Sequence, residues 1–286
     1  KTAKIISLSD YDDPANEGLH KQPLPENSEL IQVASSVEEL DLEQLKDCNV
    51  IFCSHPKSRE PLAYLLKNLK GIEWVHTRSA GIDFVLSPTL QQWRGTMSNA
   101  KGAFSSTLAE YSMGAMTFFA KDFGRLKRNQ RDKIWDKFNV KELRGAVCGI
   151  VGYGDIGKAT AKLAKVYGMR ILALGRRRPD QDGIAEERYD FSELHSMLQN
   201  CDYVVSALPL TPQTKHFIGQ AAFDAMKPGS VFINVGRGPT VDEAALIDAL
   251  QNKLLGAGLD VFEVEPLPSD SPLWEMDHVL LSPHNM

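Results

Sequence analysis

Apolar and polar positions fall into two repeating arrangements joined by one long helical stretch. Up to about Asn99, short β-rich runs at Lys4 to Leu8, Asn49 to Cys53 and Trp74 to Thr77 are separated by helical spacing at Ser36 to Lys46 and Arg59 to Leu69. Strands alternating with helices of that length are joined by crossovers, so residues 1–99 predict an α/β domain with a parallel sheet. Ser and Thr residues then open a stretch from Ser105 to Arg128 that carries Leu108, Tyr111, Ala115, Phe118 and Phe119 along one side. This predicts a single long helix that bridges two domains or pairs with a copy of itself.

A second alternation follows Arg144-Gly145 and fills residues 100–286 with the helix before it. Its expected strands are Ala146 to Val151, Arg170 to Leu174, Tyr203 to Ala207, Val231 to Val235, Ala257 to Val261 and His278 to Ser282. Its expected helices are Ile156 to Tyr167, Ser192 to Leu198, Ala221 to Met226 and Asp242 to Gln251. The runs Val147 to Val151 and Val231 to Val235 are almost continuously apolar, as in strands covered on both faces. Helices on both sides of a parallel sheet make a doubly wound domain.

Directly after the first of these buried strands stands Gly152-Tyr153-Gly154-Asp155-Ile156-Gly157, which fits G-x-G-x-x-G and opens a helix. In that context the pattern is a dinucleotide fingerprint. Gly152 permits the tight turn, Gly154 lets backbone approach a pyrophosphate, and Gly157 lets helix and strand pack closely. A carboxylate for the ribose 2′-OH is expected at the end of the next strand, but this chain reads Leu174-Gly175-Arg176-Arg177-Arg178. The arginines either hold a 2′-phosphate, which favours NADPH with NADH the weaker alternative, or form a solvated basic loop, with Asp180 or Asp182 next in line for the ribose.

Arg237, Glu265 and His284 each follow a strand of the same domain. In open α/β sheets the ligand crevice lies at the carboxyl ends of the strands, so all three can reach the mouth that holds Gly152. His278 precedes its strand and belongs at the opposite edge. Among His20, His55, His76, His195 and His216, only His195 has a nearby carboxylate on its own helix, Glu193, and no metal site is expected.

Composition narrows the remaining classes. Apolar residues make up 43% and charged residues 24% of 286, a folded globular balance, and 32 basic against 37 acidic residues leave −5. No global positive field exists for nucleic acid or an anionic membrane. The apolar stretch Leu108 to Ala120 is interrupted by Glu110, Ser112 and Gly114 and is too short to span a bilayer. The start Lys1-Thr2-Ala3-Lys4 lacks the regions of a signal peptide. Cys48, Cys53, Cys148 and Cys201 form no C-x-x-C pair and sit in or beside apolar runs, which predicts reduced, buried thiols in a cytoplasmic protein.

Taken in order, a set of motifs over nearly the whole chain resembles the D-isomer-specific 2-hydroxyacid dehydrogenases. They are Ser79-Ala80-Gly81-Ile82-Asp83, Gly152 to Gly157, Leu208-Pro209-Leu210-Thr211 with Thr214, Asn234-Val235-Gly236-Arg237-Gly238, Gly258 to Pro266, and Ser282-Pro283-His284. The resemblance implies a flavodoxin-like substrate domain and a Rossmann cofactor domain with the site in the cleft between them. It implies that Arg237 binds a small 2-keto acid, that His284 is the acid/base leading to a D-2-hydroxy acid, and that Glu265 orients the histidine. Backbone N–H groups of Ser79, Ala80 and Gly81 would meet the substrate carboxylate. Thr107, Leu208, Pro209, Val235 and Asp260 would line the nicotinamide and ribose pocket, and a homodimer is implied as well.

Glu265-Pro266-Leu267-Pro268 through Ser271-Pro272-Leu273-Trp274, with the arginines, looks most like the glyoxylate/hydroxypyruvate reductase branch. Glu265 stands where formate dehydrogenases of the superfamily have Gln, and the extra regulatory domain of many phosphoglycerate dehydrogenases is lacking. Family members continue past the histidine with a helix that returns to the first domain. This sequence stops at Met286 and does not begin with Met, which reads as an incomplete record. Dinucleotide-sensing corepressors share this fold and are the rival class.

Overall fold

The computed structural model describes residues 2–10, 23–178 and 180–286; His20 and the first residue of the N-terminal run lie outside them. The chain divides into two units, Lys1–Ala103 and Phe104–Met286. The division falls a few residues after the expected boundary because the turn beyond Asn99 stays with the first sheet: Ala100 N–H donates to the Ser79 carbonyl and Ala103 N–H to that of Ala100.

In the first unit, β1 (Ala3–Leu8), β2 (Ser28–Ala34), β3 (Val50–Cys53), β4 (Trp74–Thr77) and β5 (Thr96–Asn99) form one parallel sheet in the order β2-β1-β3-β4-β5. Ile6, Leu8, Ile51, Cys53 and Val75 bury one face against Leu62 and Leu65 of α2 (Arg59–Asn68). The helix expected over Ser36 to Lys46 shrinks to α1 (Leu42–Leu45). Local side-chain bonds compete with the earlier turn: Glu39 accepts from the N–H and hydroxyl of Ser35, and Asp41 caps Glu43 and Gln44. α3 (Pro88–Gln92) follows Ser87, whose hydroxyl caps Leu90.

The second unit opens with a correction. The single helix expected from Ser105 to Arg128 is two, α4 (Ser105–Lys121) and α5 (Phe123–Asp132), because Asp122 adopts the left-handed conformation at φ 51°, ψ 53°. Its N–H closes the first helix on Phe118 and Phe119, and its carboxylate starts the second by accepting from Arg125 N–H. The buried face of α4 is also shifted: Leu108, Ala109, Ser112, Met113, Ala115, Met116 and Ala120 are covered, whereas Tyr111, Phe118 and Phe119 are only half-buried.

Seven parallel strands follow: β6 (Val147–Val151), β7 (Arg170–Gly175), β8 (Glu187–Asp190), β9 (Tyr203–Ser206), β10 (Val231–Asn234), β11 (Gly256–Leu259) and β12 (Val279–Leu281), ordered β12-β11-β10-β9-β6-β7-β8. Alternate residues enter two cores. Val151, Leu172, Val204 and Phe232 face α7 (Leu194–Leu198), α8 (Gln220–Ala225) and α9 (Glu243–Asn252). Cys148, Ile150, Ile171, Val205 and Ile233 face α4 and α6 (Asp155–Val166). The chain winds outward in both directions from β6, so the strand order reverses between β6 and β9, where a doubly wound sheet opens its ligand crevice. All four cysteines are buried, and burial pushes the Cys48 thiol up to about 11 and the Cys53 and Cys201 thiols up to about 12. No helix among the described residues is long and apolar enough to cross a membrane.

Candidate active site

The crevice between β6 and β9 is built by glycine. Gly152 has φ +100°, and a Cβ there would stand 2.8 Å from the Ala207 backbone at the end of β9. A Cβ on Gly157 would stand 2.2 Å from the Gly152 carbonyl oxygen and 2.9 Å from the Ile150 side chain, so α6 could not approach β6. Gly154 differs, because its φ is −88° and no atom lies within 4 Å of its added Cβ. Nothing in the protein itself demands glycine there. The missing side chain leaves a cradle before the first turn of α6, whose N-terminal N–H groups have no side-chain cap. That combination fits a dinucleotide pyrophosphate.

A groove of about 630 Å³ extends from this turn, walled by Gly152, Tyr153, Gly154, Gly175, Arg176, Arg177, Leu208, Pro209 and Thr214 among the expected cofactor residues. Phe191, Ala207, Thr211, Pro212 and Gln213 complete the wall and were missed in the sequence. The last three lie inside the Leu208-to-Thr214 motif, whereas Phe191 gave no signal. Asp155, Ile156 and Gly157 belong to the helix behind the wall. Thr107 stands exposed on the first turn of α4. Thr214 ties its loop internally, its hydroxyl donating to the Pro209 carbonyl at 2.6 Å and accepting from Thr211 N–H at 2.8 Å.

Only two of the three arginines face the groove. Arg178 Nη2 donates to both carboxylate oxygens of Glu193 at 2.7 Å, and its Nη1 donates to the Arg188 carbonyl. Asp182, the expected reserve for the ribose, accepts from the Tyr153 hydroxyl at 2.8 Å and from Ile184 and Ala185 N–H.

Arg237, Glu265 and His284 all lie beyond carboxyl ends of strands in this unit. His284, at φ 55°, turns its Nδ1 to Glu265 Oε2 at 2.7 Å, and Glu265 Oε1 accepts from Phe262 N–H at 2.9 Å. The hydrogen bond to Glu265 raises the His284 pKa above its ordinary value, against burial and the Arg237 charge. Burial alone would raise Glu265; the bonds from His284 and Phe262, with the His284 and Arg237 charges, bring it below the usual value. An ionised Glu265 therefore holds the proton on Nδ1 and leaves Nε2 for another partner.

Arg237 is half-buried on a turn set by its neighbours. Thr240 donates to its carbonyl at 2.6 Å, and Asn234 accepts from Gly236 N–H at 3.1 Å. A Cβ on Gly236 would meet the Leu208 backbone at 2.6 Å, so only glycine lets this turn press against the groove wall. Val235 and Asp260, expected in the nicotinamide and ribose pocket, are buried and do not line the groove. Asp260 accepts from Ser282 at 2.6 Å and Asn285 N–H at 3.2 Å, and burial raises its pKa despite those bonds.

In the first unit, the half-buried Ser79-Ala80-Gly81 turn is tied through its carbonyls, Thr77 donating to Ser79 at 3.0 Å and Asn99 to Ala80 at 2.6 Å. His278 sits at the far end of its strand, with Nε2 against the Leu250 carbonyl at 3.1 Å. A second imidazole–carboxylate pair, His216 with Glu263 at 2.6 Å, was not foreseen, because its partners are far apart in sequence. Among the described residues no cluster of His, Cys, Asp or Glu could hold a metal ion.

Residues 113–285 match the D-isomer specific 2-hydroxyacid dehydrogenase, NAD binding domain, family. A glyoxylate/hydroxypyruvate reductase B of Enterobacter sp. (strain 638) is 39% identical over 230 residues, 77% of this chain and 70% of that protein. The crystal structure of a D-isomer specific 2-hydroxyacid dehydrogenase family protein from Aeromonas salmonicida subsp. salmonicida A449 is similar over 100% of this chain and 89% of its own, at 30% identity and TM-score 0.83. An NADPH-dependent glyoxylate/hydroxypyruvate reductase from Sinorhizobium meliloti, in complex with NADP and malonate, is similar over 99% of this chain and 86% of its own, at 26% identity and TM-score 0.79.

Proposed function

Because the chain belongs to the D-isomer specific 2-hydroxyacid dehydrogenase family and is a nicotinamide-dependent enzyme of its glyoxylate/hydroxypyruvate reductase branch, we propose that it reduces a small 2-keto acid of that class with NADPH. The observation that carries the reading is the His284–Glu265 pair, built within the same domain as Arg237 and the dinucleotide groove. The family relation disfavours the rival reading as a sensor without turnover.

Reduction adds a hydride to the carbonyl carbon of the keto acid and a proton to its oxygen. The nicotinamide, when bound, supplies the hydride; Gly152, Gly154 and the α6 N-terminus would hold its pyrophosphate, with Arg176 and Arg177 at the 2′-phosphate. Protonated His284 donates from Nε2 as negative charge grows on the oxygen, and Glu265 keeps the imidazole on Nδ1 and favours its charged form. Arg237 clamps the substrate carboxylate and polarises the carbonyl through its planar fork. Product release leaves His284 neutral, to be reprotonated from water.

NADPH preference draws support from the two arginines on the groove wall and from the NADPH-dependent Sinorhizobium relative. We also read the protein as a homodimer, on the exposed apolar residues that follow Asp122.

A panel of glyoxylate, hydroxypyruvate, pyruvate and phenylpyruvate with both cofactors tests the reading. NADPH-driven turnover of glyoxylate or hydroxypyruvate is expected, and Arg237→Ala should lower kcat/KM by several orders of magnitude with NADPH affinity nearly intact. Unchanged kcat/KM in that variant would remove Arg237 from the site.

A further inference from the structure

Resting on the proposed use of NADPH, we infer that Tyr153 is a cofactor-specificity residue: its hydroxyl withholds the Asp182 carboxylate from the ribose end of the groove and steadies the arginine loop. Tyr153 is the second residue of the glycine turn and forms part of the groove wall, with only 9% of its surface exposed. Its hydroxyl reaches out to Asp182 Oδ2 at 2.8 Å. The other carboxylate oxygen closes a turn by accepting from Ile184 at 2.9 Å and Ala185 at 3.4 Å. Lys158, one turn into α6, stands 5.8 Å above the Tyr153 ring.

The arginine loop runs from Gly175, the last residue of β7, to Asp182, ahead of β8, which begins at Glu187. At its start, Gly175 is registered against Asp190 of β8, and Arg178 is committed to Glu193 and the Arg188 carbonyl. At its end the Tyr153–Asp182 bond joins the loop to the glycine turn. Arg176 and Arg177 lie between these ties, on the groove wall.

The two cofactors differ at one group, and a carboxylate affects them in opposite ways. It accepts a hydrogen bond from the ribose 2′-OH of NADH, and it repels the 2′-phosphate of NADPH. Asp182 stays ionised: burial would raise its pKa, but the Ile184, Tyr153 and Ala185 bonds and the Lys158 charge bring it below the ordinary value. A charged carboxylate bonded to a residue of the groove wall would be a liability for a 2′-phosphate if released toward it, and Tyr153 holds it.

The test measures dissociation constants for NADPH and NADH by cofactor fluorescence in wild type, Tyr153→Phe, Asp182→Asn, the Tyr153→Phe/Asp182→Asn double variant and Arg176→Ala/Arg177→Ala. Tyr153→Phe should shift the NADPH:NADH affinity ratio about tenfold toward NADH, the size of one hydrogen bond to a charged group at an exposed site. Asp182→Asn alone, which keeps an acceptor for Tyr153, should leave the ratio near wild type. The double variant should return toward the wild-type ratio, because the freed group is then neutral. A ratio unchanged in Tyr153→Phe, or a shift that the double variant does not reverse, overturns the inference; equal weakening of both cofactors shows a merely structural tyrosine and overturns it too. The underlying reading fails separately, if wild type binds NADH more tightly or the arginine double variant keeps the wild-type ratio.

Discussion

The hydrogen bond to Glu265 contributes most to the charge state of His284, and the sign of the expected pH dependence follows. On the proposed role of His284 as proton donor, reduction needs the imidazolium, so the raised His284 pKa should extend keto-acid reduction to higher pH, with the rate falling as pH climbs through that pKa. Glu265→Gln removes the charge that favours imidazolium while leaving Arg237 and burial to oppose it. The basic limb of kcat/KM for reduction should therefore move to lower pH, with kcat down by about 10²-fold. Identical limbs in both proteins would show that Glu265 does not set the titration of His284. Folding stability follows the same pair: the His284 contribution is complete below its ordinary 6.5 and lost as pH rises through the raised value, and the Glu265 contribution is complete above 4.5 and lost as pH falls through the lowered one. At this scale the sequence was most legible where a residue follows a strand, because the sheet brings strand ends together without reference to side-chain direction. Tyr153, Asp182, Arg178 and Phe191 were opaque, since which way each turns depends on partners packed from elsewhere in the chain.

Elements buried on both faces announced themselves. β6 and β10 are continuously covered, and their apolar runs have no competing explanation. β2, β5 and β8 were missed; all three are half-exposed sheet edges, and β5 and β8 are written largely with polar residues, whereas β2 carries an apolar Leu30-Ile31 pair and Val33 that the reading passed over. The break at Asp122 escaped for a different reason. Helical spacing continues through it, and only the left-handed backbone, stabilised by a carboxylate that caps the next helix, ends α4. Asp122→Ala removes the cap, at about 1 kcal/mol, and places a Cβ residue with no local hydrogen bond in a conformation that costs about another 1 kcal/mol. Thermal melting should fall for Asp122→Ala and stay close to wild type for Asp122→Asn, which caps and tolerates this backbone. Equal melting of the Ala variant and wild type would mean that α4 and α5 merge without cost, as the continuous spacing suggests.

For the molecule as a whole, the net charge of −5 gives no reason to associate with polyanions, so association is argued from apolar surface. Beyond Asp122 the chain leaves Phe123 41%, Leu126 46%, Ile134 54% and Trp135 94% exposed within thirteen positions. Isolated exposed apolar residues are ordinary, but four so close together, one an almost bare tryptophan, mark a surface that expects cover. Within the segment Arg125 pairs with Asp136 and Arg131 with Asp132. A two-fold contact through this segment would bury each copy's Trp135 and Leu126 against the other. Sedimentation at micromolar concentration should therefore report twice the 31.7 kDa chain, and Leu126→Glu/Trp135→Glu should shift it toward 31.7 kDa without lowering the melting temperature of the nucleotide-binding unit. A wild-type protein that sediments as a single chain across that range would remove the homodimer from the reading.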